Sequence, residues 1–143
     1  MSGLSANFSC SGQLDNLAAA TEFVEGQAEL YGLDTAKTLG LLLALEEAFV
    51  NICSYAYSDG AGEIELACGG EGDVFILEIA DSGRPFDVLA LPEPDTTLSI
   101  DDREIGGLGV LLIRRLTDAV SYRRENNRNI LRMLLYRPEG GVP

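Results

Sequence analysis

The chain has no histidine and a single lysine, Lys37. Without imidazole there can be no Ser-His-Asp or Cys-His nucleophilic centre and no zinc site built on histidine. A phosphoacceptor histidine is excluded as well. One lysine and no GxxxxGK[ST] string leave no P-loop. Cysteine is sparse: Cys10, Cys53 and Cys68 are odd in number and show no CxxC spacing. They read as reduced, buried thiols. The most apolar stretch, around Leu39–Leu45, is far shorter than the roughly 20 residues a bilayer requires. Residues 1–10 carry neither a basic segment nor a long apolar one, so no secretion signal is expected. These absences predict a soluble, cytoplasmic protein. Positive charge is also scarce. With 10 basic against 23 acidic side chains the formal net charge is −13. Such a field repels phosphate backbones and argues against direct nucleic-acid binding. It suits a basic protein partner, and it obliges any nucleotide site to neutralise phosphates with a metal and local donors.

What is present is enough for one core. The chain has 143 residues, 46% of them hydrophobic, which fits a single globular domain over 1–143. Leu4, Ala6, Phe8 and Cys10 alternate as in a strand. Ser11 is a candidate helix cap, followed by apolar residues at three- and four-residue spacing from Leu14 to Tyr31, with Gly32 as the stop. Asp34 is a second cap, opening a helix from Thr35 to about Tyr57. Glu63–Ala67 and Asp73–Ala80 read as strands joined through Gly69-Gly70-Glu71-Gly72, the second apolar enough to be central. Residues 88–105 form a long loop with two prolines, a candidate lid. A helix over Gly107–Asp118 and a strand pair, Ala119–Arg124 and Asn129–Tyr136, complete the order β-α-α-β-β-lid-α-β-β. That order predicts an α/β (α+β) two-layer sandwich: a largely antiparallel mixed sheet with three helices on one face.

Three short segments carry the chemistry. Glu47 and Asn51 are at i and i+4, so on a helix they share a face with Cβ atoms about 6 Å apart. Exposed helices show such pairs constantly, but this one sits in the most apolar helix of the chain, where a polar group needs a partner or a ligand. An amide oxygen suits Mg²⁺, and a nearby carboxylate can take a proton from an attacking hydroxyl. Glu46 is turned away by about 100°. Asp81 follows the central strand in Asp81-Ser82-Gly83-Arg84-Pro85-Phe86-Asp87. A turn aspartate bonding its own backbone is the plain reading; an acceptor for a ligand is the other. Gly106-Gly107-Leu108-Gly109 opens a helix. It can serve as a lid hinge, as an anion cradle of backbone N–H groups, or as both. Arg103 could reach a terminal phosphate or simply be solvated.

These segments resemble the N, G1 and G2 boxes of the GHKL ATPase/kinase superfamily, and the Asp-Ser-Gly-Arg-Pro-Phe-Asp string resembles its anti-sigma-factor serine/threonine kinase branch. The resemblance spans about Leu4 to Arg137. It implies the Bergerat-type ATP-binding fold, ATP and Mg²⁺ as cofactors, Asn51 as metal ligand and Glu47 as catalytic base. It places Asp81, Gly83, Pro85, Gly106, Gly107, Leu108, Gly109 and Arg103 around the nucleotide. Tyr55 stands where the family often has a histidine, a change in site polarity. The implied partners are a sigma factor, held inactive, and a small antagonist protein that accepts the phosphoryl group; homodimers are common in the family. The alternative is a non-catalytic, ATP-dependent module that sequesters a partner. Glu47 favours the kinase, since an inert site would tolerate losing that carboxylate.

Overall fold

A computed structural model describes residues 4–56, 62–90 and 107–137, with side chains from residue 109 onward in the last segment. β1 (Ala6–Ser11) leads through a short 3₁₀ turn, Leu14–Asn16, into α1 (Leu17–Tyr31). Asn16, not Ser11, is the cap position of α1, and Ser11 is still paired in β1 with Glu63. The expected serine cap is thus displaced by strand pairing; Ser11 instead accepts from the Asn16 amide at 2.8 Å. Gly32 ends α1 with φ of 92°, a left-handed conformation that glycine adopts without penalty.

Asp34 caps α2 (Thr35–Asn51), accepting the Lys37 N–H at 2.7 Å. The regular helix stops at Asn51 and continues as a wider π-type turn over Ile52–Ala56. Thr35–Ala56 is 22 residues long and apolar enough, by length and composition, to cross a membrane. Its inner face is nonetheless taken up by the core. Leu41, Ala44, Leu45, Ala48 and Phe49 are all at most 1% exposed.

β2 (Glu63–Glu71) and β3 (Val74–Asp81) form a hairpin closed by Gly72-Asp73 alone. The expected four-residue connection is shorter because Gly69 and Gly70 pair with Ile76 and Phe75. Gly70 has a local reason to be glycine: a Cβ there would collide with the Tyr31 ring. α3 (Gly107–Leu116), β4 (Ala119–Glu125) and β5 (Arg128–Tyr136) follow. The β4–β5 turn places Asn126 and Asn127 at φ 53° and 62°, the type I′ geometry that asparagine tolerates.

The strand order is β1-β2-β3-β5-β4. All four pairings are antiparallel, so among the described residues the largely antiparallel sheet that was expected is antiparallel throughout. β3 is central, as its apolar run predicted. Ile64, Leu66 and Cys68 of β2, Phe75, Leu77 and Ile79 of β3, and Leu131, Met133 and Leu135 of β5 line one face of the sheet. They meet the helices in one continuous core. The opposite face carries charged ladders, with Glu78 paired to both Arg123 and Arg132. Cys68 is buried and its thiol is pushed up to about 12 by desolvation. Cys10 and Cys53 are free and only half-buried.

Candidate functional site

Two clusters of polar side chains interrupt this core, and both lie where a regular element ends. The first is at the end of α2. Glu47 is half-buried and Asn51 is 3% exposed. The Asn51 amide donates to the Glu47 carbonyl at 2.8 Å, which leaves its Oδ1 with no partner among the described residues. A buried carbonyl oxygen without a donor is costly and is a fit place for a hard cation. The described residues hold no group of three or more acidic or thiol side chains able to cage a metal. An ion here would therefore take most of its ligands from a bound phosphate and water. The first turn of α3 presses on the same pair. A Cβ at Gly109 would lie 2.8 Å from Glu47 Oε2 and 3.3 Å from Asn51 Nδ2. A glycine there leaves the Glu47 carboxylate and the Asn51 amide their present places beside the first turn of α3, and a helix start is where backbone N–H groups can receive an anion. The carboxyl of Glu47 is raised above its ordinary value, first by desolvation and then by the charge of Glu46. It is a stronger base than a solvated glutamate.

The second cluster is at the end of β3. Asp81 is 3% exposed. Its Oδ1 accepts the Gly83 N–H at 3.0 Å and the Asn129 amide at 2.8 Å. Its Oδ2 has no hydrogen-bond partner among the described residues. Burial raises the Asp81 carboxyl, opposed by the Asn129 and Gly83 hydrogen bonds and by the charges of Arg124 and Arg128. Asp81 lines a small, partly open cavity of about 20 Å³. Ala48 and Ile52 come to it from α2 and the turn beyond, Ile79 from β3, Phe86 and Val88 from the following loop, and Tyr122, Asn129 and Leu131 from β4 and β5. Ala48 and Ile52 each follow Glu47 and Asn51 by one residue, so one stretch of helix serves both clusters.

The loop after Asp81 is bound to the end of α2. Arg84 Nε donates to the Tyr55 carbonyl at 2.7 Å, and Tyr55 stacks on Phe86 with ring centroids 5.3 Å apart. Gly83 is packed so tightly that a Cβ would collide with the Ala56 carbonyl. Asp87 Oδ1 accepts the Leu89 N–H at 2.9 Å and shapes the 3₁₀ turn Val88–Ala90 that begins the expected lid. Pro85 is exposed and does not line the cavity. Gly107 and Leu108 take part in α3 through their backbone. Arg103, Gly106 and the remainder of the lid lie outside the described residues.

The structure thus brings Glu47, Asn51 and Gly109 together, and sets Asp81 at the cavity with Gly83 bonded to it. Asn129, Tyr122 and Arg124 were not singled out from the sequence. Asn129 could have been. It is the one polar residue in the inward-facing series Asn129, Leu131, Met133, Leu135.

Comparison with known proteins decides the family. Residues 10–135 match the histidine kinase-like ATPase domain. The chain belongs to that family. Over 92 residues this member is 35% identical to the serine/threonine-protein kinase BtrW of Bordetella bronchiseptica, covering 64% of the chain and 65% of BtrW. It is 30% identical over 107 residues to the serine-protein kinase RsbW of Halalkalibacterium halodurans, 72% of the chain and 65% of that protein. With RsbW of Bacillus cereus strain ZK the figures are 29% over 93 residues, 62% of the chain and 58% of the relative. The chain thus spans somewhat under two thirds of the curated relatives it matches. A solved structure of the RsbU and RsbW domains of Rv1364c from Mycobacterium tuberculosis superimposes with TM-score 0.64 at 13% identity, covering 94% of the chain and 34% of that protein. The family fold of a sheet backed by helices is shared.

Proposed function

We propose that this member of the family is a Mg-ATP-dependent protein serine/threonine kinase. It acts as an anti-sigma regulatory factor, phosphorylating a small antagonist protein and sequestering a sigma factor. The observation that carries the reading is the meeting of Glu47, Asn51 and Gly109 where α2 and α3 touch. A proton acceptor, a metal-ligand oxygen and an anion-binding helix start then share one spot. The names of the relatives, serine and serine/threonine kinases, support the same class.

In this reading Asp81 accepts the adenine amino group through Oδ2, with Gly83 admitting the base. Asn51 Oδ1 would be a ligand for Mg²⁺, which would neutralise phosphate charge. Gly107, Leu108 and Gly109 offer backbone N–H groups to the phosphates. Gly106 and Arg103 are proposed as phosphate contacts, and Pro85 as part of the turn that follows Asp81. Glu47 takes the proton from a serine or threonine hydroxyl as its oxygen bonds the terminal phosphorus. The bond to the bridging oxygen breaks and ADP departs. A cytoplasmic, homodimeric protein that contacts neither membrane nor nucleic acid completes the proposal.

The test is E47Q, which keeps shape and hydrogen bonding but removes the base. General-base assistance is worth about 10²–10⁴ in rate. The variant should bind ATP as wild type does and transfer radiolabelled phosphate to the cognate antagonist slower by that factor. Wild-type transfer rates in E47Q would remove Glu47 from the chemistry. A wild-type protein that binds ATP and partner yet transfers nothing is the non-catalytic binding module.

A further inference from the structure

Asn129 faces inward from β5, directly opposite Asp81 in register, and is 3% exposed. Its amide is fully engaged. Nδ2 donates to Asp81 Oδ1 and to the Arg84 carbonyl, both at 2.8 Å. Oδ1 accepts from the Tyr122 hydroxyl at 2.6 Å, and from the Phe86 N–H and Arg124 Nη1 at 3.1 Å. An amide has two hydrogens and two lone pairs, so none is left to offer a ligand. Asn129 can therefore act on a bound base only through what it holds.

It holds two things at once. It fixes the Asp81 carboxylate, because Oδ1 is committed to Asn129 and Gly83 and the group cannot turn. Oδ2 is left as the carboxylate oxygen of Asp81 without a partner among the described residues. It also fixes the backbone at Arg84 and Phe86, which carries the wall of the same cavity. We propose that Asn129 is a positioning residue that sets base specificity. By pinning the carboxylate and the 84–86 backbone together, it makes the pocket select a purine with a 6-amino group over one with a 6-oxo group. This deepens the nucleotide reading above and rests on it.

A 6-amino group donates to a fixed Oδ2. Hypoxanthine presents O6 at that point, acceptor against acceptor, and its N1–H lies to one side. A pinned carboxylate cannot follow N1–H; one held by Gly83 alone can turn to meet it. A site built to hydrogen-bond a group rejects the analogue that lacks it, strongly so when the site cannot adapt.

The experiment titrates wild type, N129A and N129D with Mg-ATP and Mg-ITP and records thermal unfolding of each. Wild type is expected to prefer ATP by at least about 100-fold. N129A should compress that preference by at least about tenfold as the carboxylate is freed. N129D keeps the shape but sets an oxygen against Asp81 Oδ1 where a hydrogen was, and should compress it likewise; it serves if N129A does not fold. A purely structural role would lower the melting temperature and both affinities in proportion. An unchanged ATP:ITP ratio in the variants therefore overturns the inference while the nucleotide reading stands. A wild-type protein that binds neither nucleotide overturns both.

Discussion

Gly109→Ala adds a single methyl group where α3 meets the Glu47–Asn51 pair, and two effects then oppose each other. Gly109 is not among the residues with positive φ, so alanine can adopt its conformation. Within a helix alanine is favoured over glycine by about 0.8–1.0 kcal/mol. Against this, the new Cβ would stand 2.8 Å from Glu47 Oε2 and 3.3 Å from Asn51 Nδ2. Both atoms are ends of side chains, so the backbone need not move. The carboxylate must retreat by roughly 0.7 Å to reach an ordinary contact of about 3.5 Å. The fold should thus keep its stability or gain up to about 1 kcal/mol, a melting temperature shift of roughly 3–5 °C upward at most. Misplacing a reacting group by about 1 Å costs on the order of 10² in rate, near 2.7 kcal/mol of barrier. Thermal unfolding and radiolabelled transfer to the cognate antagonist, read on the same preparation, separate the two effects. Wild-type transfer at an unchanged melting temperature would refute the placement of Glu47 at the reacting centre. A melting temperature lowered by 10 °C or more, on the order of 2–3 kcal/mol, would refute the packing argument instead.

Gly83→Ala should behave differently, because its Cβ would meet the Ala56 carbonyl, a backbone atom; a loss of about 1–3 kcal/mol in urea unfolding together with weaker ATP binding is expected. The Glu47 carboxyl, raised by desolvation and by Glu46, must be ionised to act. The transfer rate should therefore rise with pH through a midpoint above the ordinary glutamate value, and Glu46→Gln, which removes a like charge, should move that midpoint down. The same raised pKa means that ionised Glu47 opposes folding, so E47Q should be no less stable than wild type at neutral pH in thermal unfolding. Asn51→Ala deletes the unpartnered oxygen and should weaken ATP in millimolar Mg²⁺ far more than in EDTA; equal losses in a titration would make Asn51 merely structural.

Much of this architecture was legible from sequence periodicity. Gly32 and Asp34 marked the α1–α2 boundary because one adopts a left-handed φ and the other accepts the Lys37 N–H, both local effects. The apolar run of β3 announced a strand with neighbours on either side. Failures arose where tertiary pairing overrode local chemistry. Ser11 is a good cap by type but is held in β1 by Glu63, and Gly69-Gly70 read as a loop but extend β2 beneath Tyr31. In the site, Glu47 and Asn51 could be paired by helical spacing alone. Their contact with Gly109, some sixty residues on, could not. Asn129 reaches Asp81 across a strand register that no local pattern encodes, although its polarity in an apolar series was visible.

The measurement that bears most directly on the nucleotide site is calorimetric titration of Mg-ATP into nucleotide-free wild type and Asp81→Asn. In the variant the oxygen stays at the Oδ1 position, held by the Gly83 N–H and the Asn129 amide, and the new NH₂ takes the place of Oδ2. A donor then faces the adenine amino group. Saturable binding by wild type is expected, with affinity in the variant lower by on the order of 10²–10³ at an unchanged melting temperature. No saturable heat from the wild-type protein at millimolar Mg²⁺, or equal affinity in the two proteins, would contradict the assignment of this cavity to ATP.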